Sequence, residues 1–143
     1  MDERSPARPS RAPTPAARAT ILVVDDEEAV RSALCRVLSR AGYRAIPARS
    51  GIEAAWCLER AWPLDLIVSD VSVVERDGYH FGMPILELQR RFPVLYMAWW
   101  PQDETVRRGI LHPGAPYLRK PCPPGLFTRT VGNLLRASRR SDA

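Results

Sequence analysis

The sequence predicts an α/β fold, a single parallel sheet with helices on both faces, and three observations carry that prediction. Short apolar, β-branched runs alternate with amphipathic stretches about five times along the chain, which is the signature of strand–helix–strand units. The run Ile21-Leu22-Val23-Val24 has the composition of a strand covered on both sides, and Leu64-Asp65-Leu66-Ile67-Val68-Ser69 gives a further strand. Both end on aspartates, Asp25-Asp26 and Asp70. The length of 143 residues suits one domain with a proper core and is too short for two of ordinary size.

Residues 1–19 mix Pro, Arg, Ala and Ser without apolar periodicity, so they bury too little to offset the entropy of ordering and are expected to form a disordered arm. Order should begin at Thr20 with the first strand. From Glu27 to Ala41, Val30, Ala33, Leu34, Val37, Leu38 and Ala41 recur at helical spacing, acids occupy the first turn and Gly42 follows the end. A weaker strand, Arg44 to Ala48, and a short helix, Gly51 to Ala61 with Ile52, Ala55 and Leu58 apolar, come next. After the strand ending at Ser69, the stretch up to Pro84 reads as irregular. Pro84 suits a first helical turn, and opens a helix through Ile85, Leu86 and Leu88 to Arg91. Val94-Leu95-Tyr96-Met97 is the fourth strand, 103–111 a short helix and Tyr117-Leu118 the fifth strand. Leu126, Phe127, Val131, Leu134 and Leu135 mark a closing helix. The ordered domain is predicted over residues 20–137, and 138–143 as a disordered tail.

Composition narrows the function classes. No run approaches the eighteen apolar residues of a membrane span, and the first twenty residues lack the apolar core of a secretory signal; a cytoplasmic protein without a membrane partner is expected. Cys35, Cys57 and Cys122 are odd in number and lack metal-type spacing, so they are expected to be reduced packing residues. Of the net charge of +5, the two tails hold +4 and residues 20–135 are nearly neutral. Nucleic-acid binding needs a basic stripe on a folded face, and none is apparent, so no nucleic-acid partner is expected. His80 and His112 stand without partners at ligand spacing and are read as solvent-exposed loop residues.

In a doubly wound sheet, ligands gather beyond the carboxyl ends of the strands where the strand order reverses. Asp25, Asp26 and Asp70 all sit at such ends. If the first and third strands are neighbours, three carboxylates converge, and two like charges 4 Å apart repel by about 4 kcal/mol at an effective dielectric of 20. Such a cluster calls for a cation or a raised pKa. Hard oxygen donors favour Mg2+, with a phosphoryl oxygen able to complete its shell. Lys120 is the sole lysine among 21 basic residues, and its place at the end of the fifth strand aims a compact ammonium at the same rim. A carboxylate nucleophile, a divalent cation and a lysine together suit phosphoryl acceptance. Taken singly, a strand-end aspartate is as readily a helix N-cap.

With these residues in place, the chain resembles the receiver domains of response regulators and hybrid histidine kinases. The resemblance runs over about residues 20–137, in ILVVDDEEAVR, DLIVSDV, the Asp77-Gly78 pair, PVLYM and YLRKP, and RRGILHPGAPYLRKP is similar to receiver modules attached to hybrid sensor kinases. It implies a flavodoxin-like (βα)5 fold with strand order 2-1-3-4-5. It also implies that Asp70 is the phosphoacceptor and that Asp25, Asp26 and Asp70 hold Mg2+ with the backbone carbonyl of Ser72. Lys120 would pair with the phosphoryl oxygens, and Tyr117 would be the aromatic whose rotation reports phosphorylation. Implied partners are a histidine kinase or phosphotransfer protein and a downstream protein, and the natural surface for a homodimer would be the last helix and its preceding loop.

The chain departs from the family at three places. Ala98 stands where receivers carry a Ser or Thr that bonds the phosphoryl group. A hydrogen bond to a charged group is worth about 1.5–3 kcal/mol and a typical allosteric coupling about 1–3 kcal/mol, so this loss can remove most of a switch. Trp99 replaces a small residue beside the pocket, and Trp100 follows; exposed, the pair would suit a partner surface, and buried, a loop folded over its own sheet. Val73-Val74 replaces a common Met-Pro pair, and a looser segment is expected after Asp70. The alternative to a phosphoryl receiver is a degenerate one that acts as a phosphorylation-independent interaction module. A phosphatase of the haloacid dehalogenase type is disfavoured, because it needs a second acid two residues after the first and Ser72 stands there.

Overall fold

The computed structural model describes residues 19–60, 63–77 and 85–142. They form one five-stranded, wholly parallel sheet of order β2-β1-β3-β4-β5. The strands are β1 (Thr20–Val24), β2 (Arg44–Ala48), β3 (Leu66–Asp70), β4 (Val94–Ala98) and β5 (Tyr117–Arg119). The helices among the described residues are α1 (Glu28–Arg40), α2 (Gly51–Glu59), α3 (Val71–Asp77), α4 (Ile85–Arg91), α5 (Gln102–Arg107) and α6 (Pro124–Asp142). The doubly wound architecture and its strand order are those expected from the sequence.

Alternation along the central strands builds two cores. Ile21, Val23, Leu66, Val68, Leu95 and Met97 point to one face, where Leu38 of α1 and Phe127, Val131 and Leu135 of α6 cover them. Leu22, Val24, Ile67, Tyr96 and Ala98 point to the other, against Ala54 of α2, Val71, Val73 and Val74 of α3 and Leu88 of α4. Strands β1, β3 and β4 are buried throughout, whereas β2 at the sheet edge is half exposed. An edge strand can spare one backbone donor, which is why Pro47 is accommodated there.

Local signals explain the element boundaries. Gly42, at φ 96°, ends α1: its N–H donates to the Ser39 carbonyl at 3.0 Å and that of Tyr43 to Leu38 at 3.1 Å, a paired capping arrangement that also brings Tyr43 onto the Leu38 face. Ser50 caps α2 by accepting from the Glu53 N–H at 3.2 Å. Strand β3 starts at Leu66, two residues later than the sequence suggests, because the Asp65 carboxylate accepts from the Thr20 N–H at 2.8 Å at the sheet's entrance.

Further expectations need correction. The segment after Asp70 is neither irregular nor loose among the described residues: α3 begins directly at Val71, and its Val71, Val73 and Val74 are buried. Valine is a modest helix former, and here burial against the sheet overrides propensity. Helix α6 continues to Asp142, past residue 137, because no glycine or proline interrupts its last turns. Ile52, one of the apolar positions that mark α2, is 73% exposed; the inward face is Gly51 and Ala54, with Ala55 and Leu58 beside them. Helix α5 ends at Arg107, short of residue 111, and Gly109 follows at φ 75°. Residues 1–18, His80, Gly78 and Pro84 lie outside the described residues. No described helix is long and apolar enough to cross a membrane.

Phe127 is the largest α6 side chain in the core and is 1% exposed. Phe127→Ala should lower the unfolding free energy by about 3–5 kcal/mol, measured by urea denaturation.

Candidate functional site

The carboxyl ends of β1, β3 and β5 meet at one rim. Because β1 and β3 pair with Val24 opposite Ser69, the residues that follow, Asp25 and Asp70, emerge side by side. Carboxylate oxygens of Asp25, Asp26 and Asp70 all lie within 4.8 Å of one another. Asp25 and Asp70 are buried, at 1% and 4% exposure, while Asp26 is exposed.

Lys120 enters from the end of β5, itself 4% exposed. The backbone N–H of Lys120 donates to the Ala98 carbonyl at 2.6 Å, which fixes the stem, and the ammonium then bridges the two buried acids. Its Nζ lies 2.8 Å from Asp25 Oδ2 and 3.0 Å from Asp70 Oδ1. Asp25 also serves the helix that follows it, since its Oδ1 accepts from the Glu27 N–H at 2.9 Å, just before α1. The helix-entry role and the pocket role of this residue are therefore not exclusive.

Burial raises the Asp70 pKa; Lys120 pulls it back, Asp25 and Asp26 push it up further, and the net direction is upward. Burial works against the Lys120 ammonium, but the hydrogen bond it donates to Asp25 and the charges of Asp70 and Asp25 outweigh it, leaving its pKa above the ordinary lysine value. The pocket thus holds more negative charge than one lysine neutralises, and hard oxygen donors at this spacing fit a divalent ion such as Mg2+.

Sequence reasoning missed three contributors. Glu27, which the run of four acids put in plain view, lies with Oε1 3.8 Å from Lys120 Nζ and accepts the Trp99 indole N–H at 3.0 Å. Arg76 of α3 reaches Asp26 with Nη1 3.2 Å from Oδ2. Glu75 beside it pairs at 3.1 Å with Arg108, whose guanidinium lies 5.4 Å above the Trp100 ring. No sequence signal links residues so far apart in the chain on different elements.

The loop after β4 divides its two indoles. Trp99 is 45% exposed, clasped to Glu27, with Lys120 Nζ 5.2 Å from its ring centre. Trp100 instead packs against the core on the α2–α4 side, and its Nε1 is buried without a hydrogen-bond partner among the described residues. Ala98 is fully buried at the end of β4 and offers no hydroxyl to the pocket. The Tyr117 hydroxyl, half-buried, donates to the Trp100 carbonyl at 2.6 Å. Ser72 lies in the first turn of α3. His112 is exposed, its Nδ1 accepting from the Gly114 N–H at 3.0 Å. The three cysteines are free and half-buried. Beside Lys120, a groove of about 260 Å3 is lined by Val30, Ala33 and Leu34 of α1, with Met97, Trp99 and Cys122.

Residues 21–131 match the family model of the response regulator receiver domain. The chain is 34% identical over 118 residues to the alkaline phosphatase synthesis transcriptional regulatory protein PhoP of Bacillus subtilis, covering 82% of this chain and 49% of that protein. The chain spans about half the length, or less, of the curated relatives it matches. Among solved structures, the chemotaxis response regulator CheY4 of Vibrio cholerae is 26% identical with a TM-score of 0.66, over 82% of this chain and 98% of that one. The receiver domain of the hybrid histidine kinase CckA is 27% identical with a TM-score of 0.57, over 82% and 99%.

The charge imbalance gives two substitutions opposite signs. A carboxylate whose folded pKa is raised adds stability below its unfolded pKa and loses it as pH rises through the folded value. Asp70→Asn should therefore unfold at higher urea than the parent at pH 7, the gap closing as pH falls through the raised Asp70 value toward the ordinary carboxylate range. Lys120→Met leaves two buried acids uncompensated and should lower stability at pH 7 by about 3–5 kcal/mol, measured in the same titrations.

Proposed function

The chain belongs to the response regulator receiver domain family, and from that premise we propose that it accepts a phosphoryl group on Asp70 in a histidine-to-aspartate relay. The observation that carries the proposal is the buried Lys120 ammonium, 2.8 Å from Asp25 and 3.0 Å from Asp70 inside a three-carboxylate cluster. The donor is a phosphohistidine of a histidine kinase or phosphotransfer protein, met in the cytoplasm. A carboxylate oxygen of Asp70 attacks phosphorus, an O–P bond forms and the N–P bond breaks. The imidazole leaves with the electron pair and takes up a proton. The protein itself remains a signalling module and hands the change to a downstream partner, α6 and the loop before it being the surface for a homodimer.

Asp25, Asp26 and Asp70 would hold Mg2+, with the Ser72 carbonyl as a further ligand. When bound, the ion neutralises charge on the phosphoryl oxygens. A carbonyl oxygen has two lone pairs, so Ser72 in the first turn of α3 can serve its own helix and still be a ligand. Lys120 is already charged and desolvated at the rim, and turns from Asp70 to the phosphoryl oxygens without crossing solvent. Tyr117 is held by the Trp100 carbonyl, and its release is the movement through which the loop after β4 responds.

Ala98 favours a second reading, a degenerate receiver that binds its partner whatever the state of Asp70. No side-chain hydroxyl at the end of β4 is available to draw the loop inward, and the Trp99–Glu27 clasp already holds that loop across Lys120.

Incubation with Mg2+ and acetyl phosphate should add one phosphate to the parent by intact mass and none to Asp70→Asn; no addition to either favours the degenerate reading. Mg2+ at 100 times its dissociation constant should stabilise the fold by about 2.7 kcal/mol, read as a rise in the urea midpoint. Trp99→Ala, which removes the clasp, should label faster with acetyl phosphate than the parent, followed by the time course of the same mass shift.

A further inference from the structure

Two basic side chains of this chain close the carboxylate cluster, and they do so in different surroundings. Lys120 is buried and bridges Asp25 and Asp70. Arg76 meets Asp26 from α3 at 3.2 Å, with side chains 52% and 40% exposed. An exposed ion pair is weak because water screens it and both side chains lose freedom in making it. A buried pair is hard to break because each charge left behind is desolvated. Of the two, Arg76 is therefore the partner that yields. A divalent ion drawing on Asp26 brings its double charge within a few ångströms of the guanidinium, and the two cations compete for one carboxylate.

We propose that Arg76 is a built-in competitor for the divalent ion and sets the affinity of the site for it. This rests on the assignment of Asp25, Asp26 and Asp70 as the ion's ligands. The placement suits the role: α3 starts at the residue after Asp70, so Arg76 is carried on the element closest to the acceptor in sequence. Glu75 ties the same helix to Arg108 beyond α5 at 3.1 Å, so the guanidinium is presented from a tethered helix and can leave Asp26 while the helix stays.

The test is Mg2+ binding by isothermal titration calorimetry on the parent, Arg76→Ala, Arg76→Lys and Glu75→Gln, with Arg76→Gln as a second neutral variant should alanine fail to fold. Loss of the competitor should tighten the Mg2+ dissociation constant by roughly two- to fivefold, the range an exposed ion pair provides. Arg76→Lys should stay near the parent, and Glu75→Gln, which loosens α3 without touching Asp26, should leave the constant unchanged. In an Asp26→Asn background, Arg76→Ala should have no further effect, as a shared partner requires. Equal Mg2+ affinity in the parent and Arg76→Ala, or an equal shift in Glu75→Gln, overturns the proposal while leaving the metal assignment standing. No Mg2+ binding in the parent or in any variant overturns both.

Discussion

The bridge from Lys120 to Asp25 and Asp70 is the constraint on which the rest of the site depends. It joins the ends of β1, β3 and β5, three strands that do not all touch one another, through a single ammonium. Asp25 and Asp70 are brought together by the parallel register of β1 and β3, and Lys120 is brought to them by the N–H it donates to Ala98 across β4 and β5. The sheet thus places a desolvated cation where two desolvated anions need one. A buried charge without a partner is strongly destabilising, so the two buried acids depend on the one lysine between them. The chain's sole lysine stands at this position. A narrow ammonium on a flexible stem fits between two carboxylates where a planar guanidinium would demand a wider, forked partner.

The rim is furnished from elements that meet only on folding. Glu27 and Trp99 close over Lys120 from one side, and Arg76 meets Asp26 from another. Helix α3 is central to the second contact. Its run of valines buries itself on the face that α2 and α4 share, and the turn of the helix then leaves Glu75 and Arg76 outside, one toward Arg108 and one toward the pocket. A loop in the same position would present neither with a fixed geometry.

The loop after β4 gathers several contacts at the edge of the site. Ala98 offers no hydroxyl there, and the loop's contacts include the Trp99–Glu27 clasp, the Lys120 ammonium over the Trp99 ring, the hydrogen bonds that Arg119 and Tyr117 donate to the Trp99 and Trp100 carbonyls, and the Arg108–Trp100 stacking contact. Trp100 lies against the core while Trp99 stays partly in water, so neighbouring residues of the same type do different things. Strand alternation dictates this outcome: at the end of a strand, successive side chains leave on opposite faces.

The sequence by itself determined the alternation of strands and helices, the buried character of β1, the glycine stop after α1, and which acids and which lysine stand at strand ends. These follow from periodicity and from terminal residue types, which are local and written in adjacent positions. Tertiary structure alone decided that α3 is a helix, that Ile52 faces water, and which of Trp99 and Trp100 the core covers. It alone brought Glu27 to Trp99 and Arg76 to Asp26. Those outcomes depend on which apolar face the sheet offers and on which charges the register of distant strands carries into one place, and no local pattern encodes the meeting of side chains so widely separated along the chain.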